Sequence, residues 1–123
     1  MVKVKLPEIS EVTFASAIEP DDTDPRGNVM ASGDDAVDRE AEDDVIRQVN
    51  AGNVAAWCGL VVRAEWRGFQ GVASIWGCSY ASEEECLASD YASDLRSDAF
   101  DALCCAVSRS IANVADRLSC EEA

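Results

Sequence analysis

The sequence contains no histidine, which removes the commonest general base, the commonest metal ligand and the side chain whose charge ordinarily changes near neutral pH. Basic residues are also scarce: 10 Lys and Arg stand against 24 Asp and Glu, giving a net charge of −14. A field of that sign repels nucleic acid and anionic membranes and attracts basic surfaces, although acidic side chains also favour solubility in their own right. No apolar run approaches the roughly 18 to 20 residues of a membrane span, and the leading MVKVKLPEIS lacks the apolar segment of a secretory signal. The expectation is a cytoplasmic protein in a reducing compartment, with its six cysteines serving mainly as small buried apolar groups.

Familiar chemical motifs are missing as well. Cys58, Cys78, Cys86, Cys104, Cys105 and Cys120 form no Cys-x-x-Cys pair, and without histidine their spacings match no common zinc site. Asp22-Thr23-Asp24-Pro25-Arg26-Gly27 opens like a calcium loop but places Arg26 at the fifth position and Gly33 at the twelfth, where a bidentate glutamate belongs. Gly68-Phe69-Gln70-Gly71 lies between two predicted strands and leads into no helix, so it is not a phosphate loop. These absences lead us to expect no enzyme and no cofactor.

The stretch from Val54 to Tyr80 carries the clearest structural signal. Val54, Ala56, Cys58, Leu60, Val62, Ala64 and Trp66 are apolar at every second position, while Arg63, Glu65 and Arg67 fall between them near the end. A period of two defines a strand with one buried face. Gly68 to Gly71 is the expected reversal, and Val72 to Tyr80 returns as the second strand of a hairpin. The outward aromatics expected on this hairpin are Trp57 and Phe69.

Before the hairpin, Val2, Val4 and Leu6 alternate with lysines and predict a short edge strand within residues 1–14. Residues 15–33, rich in Pro, Asp and Gly, read as a loop. A helix is predicted from Ser32 or Asp38 to Gly52, its apolar face formed by Val37, Ala41, Val45 and Val49, with Ile46 beside it. After the hairpin, Ser82-Glu83-Glu84-Glu85 matches a capping box and predicts a short helix to about Ser89. A longer helix follows from Asp90 or Ser93 to about Ser119, with Phe100, Leu103, Val107, Ile111, Val114 and Leu118 along one stripe. The fold class is therefore α+β: a small antiparallel sheet built on a central β-hairpin, with helices packed on one face. Residues 1–33 form the expected N-terminal strand and acidic loop or linker, and residues 34–123 a compact α+β domain.

The acids are unevenly placed. Residues 19–44 carry −9 and residues 83–123 carry −7, whereas residues 45–82 carry +2. Asp90, Asp94, Asp98 and Asp101 recur at helical spacing opposite the apolar stripe, a line about 16 Å long at 1.5 Å per residue. With Glu83, Glu84 and Glu85 they make the candidate partner-binding surface. Acids early in a helix also suit the macrodipole and plain solvation, so the spacing does not by itself demand a partner.

The segments Trp57-Cys58-Gly59-Leu60, Trp66-Arg67-Gly68 and Ser74-Ile75-Trp76-Gly77-Cys78-Ser79-Tyr80 resemble small proteins of bacteriophages and mobile elements. In size, acidity and lack of catalytic residues the chain is similar to phage anti-defence proteins, including anti-CRISPR proteins and DNA mimics. The resemblance implies a stoichiometric inhibitor that occupies a basic nucleic-acid groove of a bacterial defence complex, in the host cytoplasm, binding no nucleic acid itself. It transfers no site residues. Two other classes stand beside it: a structural or assembly protein that self-associates through the hairpin, as a homodimer for example, and a carboxylate- and metal-dependent enzyme.

Overall fold

The computed structural model describes residues 5–121, with side chains to residue 115. Three antiparallel strands form one sheet in the order β1 (Thr13–Pro20), β2 (Cys58–Trp66), β3 (Phe69–Cys78). Three α-helices accompany it: α1 (Asp35–Asn50), α2 (Glu83–Leu87) and α3 (Asp90–Glu121). The class is α+β, as the pattern of apolar residues indicates.

The hairpin is present, with its reversal displaced. Trp66 pairs directly with Phe69, so the turn is Arg67-Gly68, both with positive φ. Phe69, Gln70 and Gly71 already belong to β3. Gly71 instead sits where α3 crosses the sheet, and a Cβ there would overlap the backbone of Ala99 and Leu103. Val54–Ala56, read as the start of the strand, is a 3-10 turn.

At its other end the hairpin carries a bulge: Cys58 pairs with Cys78 and Leu60 with Ile75, leaving one extra residue on β3. That residue returns Cys78 to the core face, and Gly77 takes the positive φ of 72°. A bulge frees backbone groups from the ladder. Here the Gly77 N–H donates to Asp21 Oδ2 at 2.8 Å, while Thr23 N–H donates to Asp21 Oδ1 at 2.8 Å. Trp57 Nε1 donates to Thr23 O at 2.7 Å, which closes the segment after β1 over the indole. Trp57 is consequently buried, and Phe69 is half-buried against the core, so neither is the outward aromatic expected; on β3 the exposed one is Trp76.

The hydrogen bonds from Thr23 and Gly77 hold the Asp21 carboxyl below its ordinary range. A carboxylate whose folded pKa is depressed contributes stability above its unfolded pKa and loses that contribution as pH falls through the folded value. Asp21→Asn offers one oxygen to two N–H donors and should cost about 1 kcal/mol at pH 7. The difference from wild type should shrink below about pH 4. Urea unfolding of both proteins at pH 7 and pH 3 checks this; a difference that stays constant with pH would refute the role assigned to the charge.

The edge strand differs from expectation. Val2 and Val4 lie outside the described residues, Leu6 is exposed and not in a strand, and the strand is Thr13–Pro20, six residues of which were read as loop. Its inward positions Phe14, Ser16 and Ile18 pair with Ala64, Val62 and Leu60. Hydrogen bonding to β2 joins this part of residues 1–33 to the same sheet as the hairpin.

Helix α1 begins on Asp34, whose side chain accepts from Ala36 N and Val37 N, and the chain leaves it through Gly52 with φ 98°. Its packing face is only part of the one the spacing suggested, with Ala41 and Ile46 half-buried. Val45 is buried against the Val54–Ala56 turn, but Val37 and Val49 are exposed. The buried acid Glu42 accepts from Gly27 N at 3.3 Å and Arg26 Nη1 at 3.4 Å, and Arg26 also pairs with Asp43. A loop that brings its own arginine has claimed the neighbouring face.

Helix α3 covers β2 and β3. Ala92, Leu95, Ala99, Leu103 and Val107 are buried against Leu60, Val62 and Ala64. Of the stripe expected from spacing, Leu103 and Val107 are core, Phe100 and Ile111 are half-buried, Val114 is exposed, and Leu118 lies outside the described side chains. The 32 residues of α3 span about 48 Å. The nine residues of β2 span about 30 Å, so the end of the helix overhangs the sheet.

Candidate functional site

The fold determines which way the acids face. The small residue Ala99 lets the backbone of α3 at Ala99 and Leu103 settle on Gly71, and that contact fixes the rotation of the helix about its axis. Asp90, Asp94, Asp98 and Asp101 then lie on the opposite side, all exposed. Helix α3 is continuous from Asp90, so the four carboxylates occupy one rigid line.

Glu83, Glu84 and Glu85 form the first turn of α2 and are exposed too. Glu85 has a structural duty: its N–H donates to the N-cap Ser82 Oγ at 3.2 Å, and its Oε2 accepts from Ala81 N at 3.3 Å, one residue before the cap, where a full capping box would take the Ser82 N–H. Among the described residues the ion pairs are Lys5–Glu11, Arg26–Glu42, Arg26–Asp43 and Arg47–Asp44. None involves these seven acids, which leaves their charge uncompensated within the described structure.

One residue of this surface escaped sequence reasoning. Tyr91 is 51% exposed and lies one and two helical turns before Asp94 and Asp98. The available signal was its offset from the buried stripe. An amphipathic ring among carboxylates adds apolar contact area and a hydroxyl to a surface otherwise built from charge. Cys105 is exposed on this side as well.

Three of the other thiols are core groups, and Cys104 is half-buried. Cys58, Cys78 and Cys86 are buried, and Cys58 and Cys78 face each other across the hairpin. Burial first, then the neighbouring Cys86 and Cys78, pushes the Cys58 thiol up to about 12. Burial likewise raises Cys78 and Cys86, and it raises Cys104. Since the thiolate is the reactive species, these groups should be inert at pH 8. In a Cys120→Ser background, Ellman's reagent should label Cys105 first and reach Cys58, Cys78 and Cys86 only on unfolding. Rapid reaction of more than two thiols in the native protein would contradict the burial described.

Among the described residues no cluster of three or more Cys, Asp or Glu side chains is placed to hold a metal ion, and no helix is long and apolar enough to cross a membrane. Asp21 and Asp24 of the loop accept from the backbone N–H groups two residues on, those of Thr23 and Arg26. Comparison with protein-family models, curated proteins and solved structures gave no match.

Proposed function

We propose that this chain is a non-enzymatic inhibitor that binds a basic, nucleic-acid-binding surface of a bacterial defence complex in the host cytoplasm, in the manner of an anti-CRISPR protein or DNA mimic. The observation that carries the reading is the line Asp90, Asp94, Asp98, Asp101: exposed, unpaired among the described residues and held on a helix whose rotation the core fixes. Four charges over about 16 Å is roughly two-thirds the axial density of one DNA strand at 3.4 Å per phosphate. A groove lined with Lys and Arg to hold a phosphate backbone attracts such a line at long range and docks it with little reorganisation. Glu83 and Glu84 extend the charge towards α2, and Tyr91 supplies the aromatic anchor that charge alone lacks.

The test is recovery of partners. The tagged chain is expressed in a bacterium carrying defence systems, captured at low and high salt, and its companions are identified by mass spectrometry. A nucleic-acid-handling complex held at about 0.1 M salt, released near 1 M where the Debye length is about 3 Å, and displaced by DNA or RNA is the expected result. Recovery of the chain alone would overturn the reading and favour self-association.

A further inference from the structure

Because α3 lies chiefly over β2 and β3, the inner face of β1 is covered mainly by α2, with Arg96 of α3 reaching Phe14. A cavity of ≈ 540 Å³ opens there, a size that suits a small ligand. Its walls come from separate parts of the chain: Ser16 of β1, Ile9 before it, Leu87 of α2, and Ser93, Arg96 and Ser97 of α3.

Two features distinguish it. Ser16 takes an inward register position between Phe14 and Ile18, opposite the fully buried Val62, where an apolar side chain would close the gap. Arg96 is the charged group of the lining, and no carboxylate joins it there. Three other concavities on this molecule are acid-lined, by Glu11 and Glu65, by Asp21, Asp22 and Asp24, and by Asp35, Asp38 and Glu42. On a chain of net charge −14 this groove therefore reverses the local sign.

The arginine is positioned rather than free. Its guanidinium carbon lies 4.5 Å from the centroid of the Phe14 ring, an arrangement that holds the plane and leaves the N–H edge available. Among the described residues it makes no ion pair. Ser93 and Ser97 stand on successive turns of α3, so their hydroxyls address the same side. Ser89, one turn earlier, donates its hydroxyl to Cys86 O at 2.6 Å and has no further proton to give. Ile9, 56% exposed, and Leu87 supply apolar wall beside these donors.

We propose that this groove binds a small organic oxyanion, a carboxylate or phosphate monoester bearing a short apolar or aromatic substituent. The oxygens meet Arg96 with Ser93, Ser97 and Ser16, and the substituent lies on Ile9 and Leu87. A planar guanidinium is matched to such an anion, and hydroxyls complete the oxygens it leaves. The proposal does not depend on the inhibitor reading: about 160° of rotation on α3 divides Arg96 from Asp98, and Ser97 marks the border with the acidic line, one turn before Asp101.

The test is an amide NMR titration of the whole protein with phenyl phosphate, benzoate, inorganic phosphate and phenol. Phenyl phosphate or benzoate should give saturable shifts at Ser16, Ser93, Arg96 and Ser97, about tenfold tighter than phosphate or phenol; which of the two binds more tightly identifies the preferred head group. Arg96→Gln should weaken binding by about tenfold or more. Because that change also removes the stacking on Phe14, the double variant Ser93→Ala, Ser97→Ala, which keeps it, should independently weaken binding several-fold. Absence of saturable shifts through about 10 mM ligand, shifts centred elsewhere, or affinity unchanged in both variants would overturn the proposal.

Discussion

Gly71→Ala should destabilise the protein by about 3 kcal/mol, the upper part of the range for overpacking a core. Its new Cβ would meet the carbonyl oxygen of Ala99 and the backbone nitrogen and Cα of Leu103, all atoms of α3 that cannot move without lifting the helix from the sheet. Alanine recovers about 0.5 kcal/mol of strand preference over glycine, too little to offset this. Gly59→Ala is the matched control. The three atoms nearest its Cβ all belong to the Trp76 ring, a side chain 48% exposed on the outer face rather than fixed backbone. A cost below about 1 kcal/mol is expected there. Thermal unfolding of the two variants separates the cases, Gly71→Ala melting roughly 10 °C or more below Gly59→Ala. If the order is reversed, α3 does not cross the sheet at Gly71 and the orientation of its acids is wrong as well.

That glycine also shows where sequence reasoning succeeds and where it stops. Alternation from Cys58 to Trp66 and the helix start at Ser82 are local patterns; the strand and the Ser82 N-cap are present in the structure, with the Glu85 carboxylate on Ala81 N rather than on the cap residue. A glycine near a reversal has two physical uses, a turn or a close approach, and only the path of α3 tells them apart at Gly71. The same non-local cause explains the helix: Leu103 and Val107 were legible as core, but the burial of Ala99 depends on the side-chain-free site at Gly71 beneath it. Strand β1 was hidden because Ala15, Ser16 and Ala17 dilute its alternation. Glu42 is buried because Arg26 and Gly27, about 15 residues away, come to it, and no helical wheel contains that information. The exposure of the acidic line, in contrast, followed from spacing alone. That it makes no ion pair among the described residues, and that Tyr91 lies beside it, required the fold.

Asp94→Lys combined with Asp98→Lys should weaken binding to the complex recovered with this protein by roughly 10- to 100-fold near 0.1 M salt, chiefly through slower association. The loss should shrink towards 1 M salt, where screening reaches about 3 Å. Both residues are exposed and make no ion pair among the described residues, and Asp98 lies beyond the first turn, so the change in folding stability should stay near 0.5 kcal/mol. Total charge is the competing explanation, because any two such reversals alter it equally. Asp22→Lys with Glu40→Lys makes the same change at exposed positions of the other acidic segment and should leave most of the affinity intact. Tyr91→Ala should act differently again, speeding dissociation with little effect on salt dependence, as expected of a contact made after docking. Equal losses from the two double reversals would reduce the interaction to non-specific attraction. Full affinity in Asp94→Lys, Asp98→Lys would remove the α3 line from the interface, whereas a loss confined to that variant and Tyr91→Ala would place the partner on this helix face.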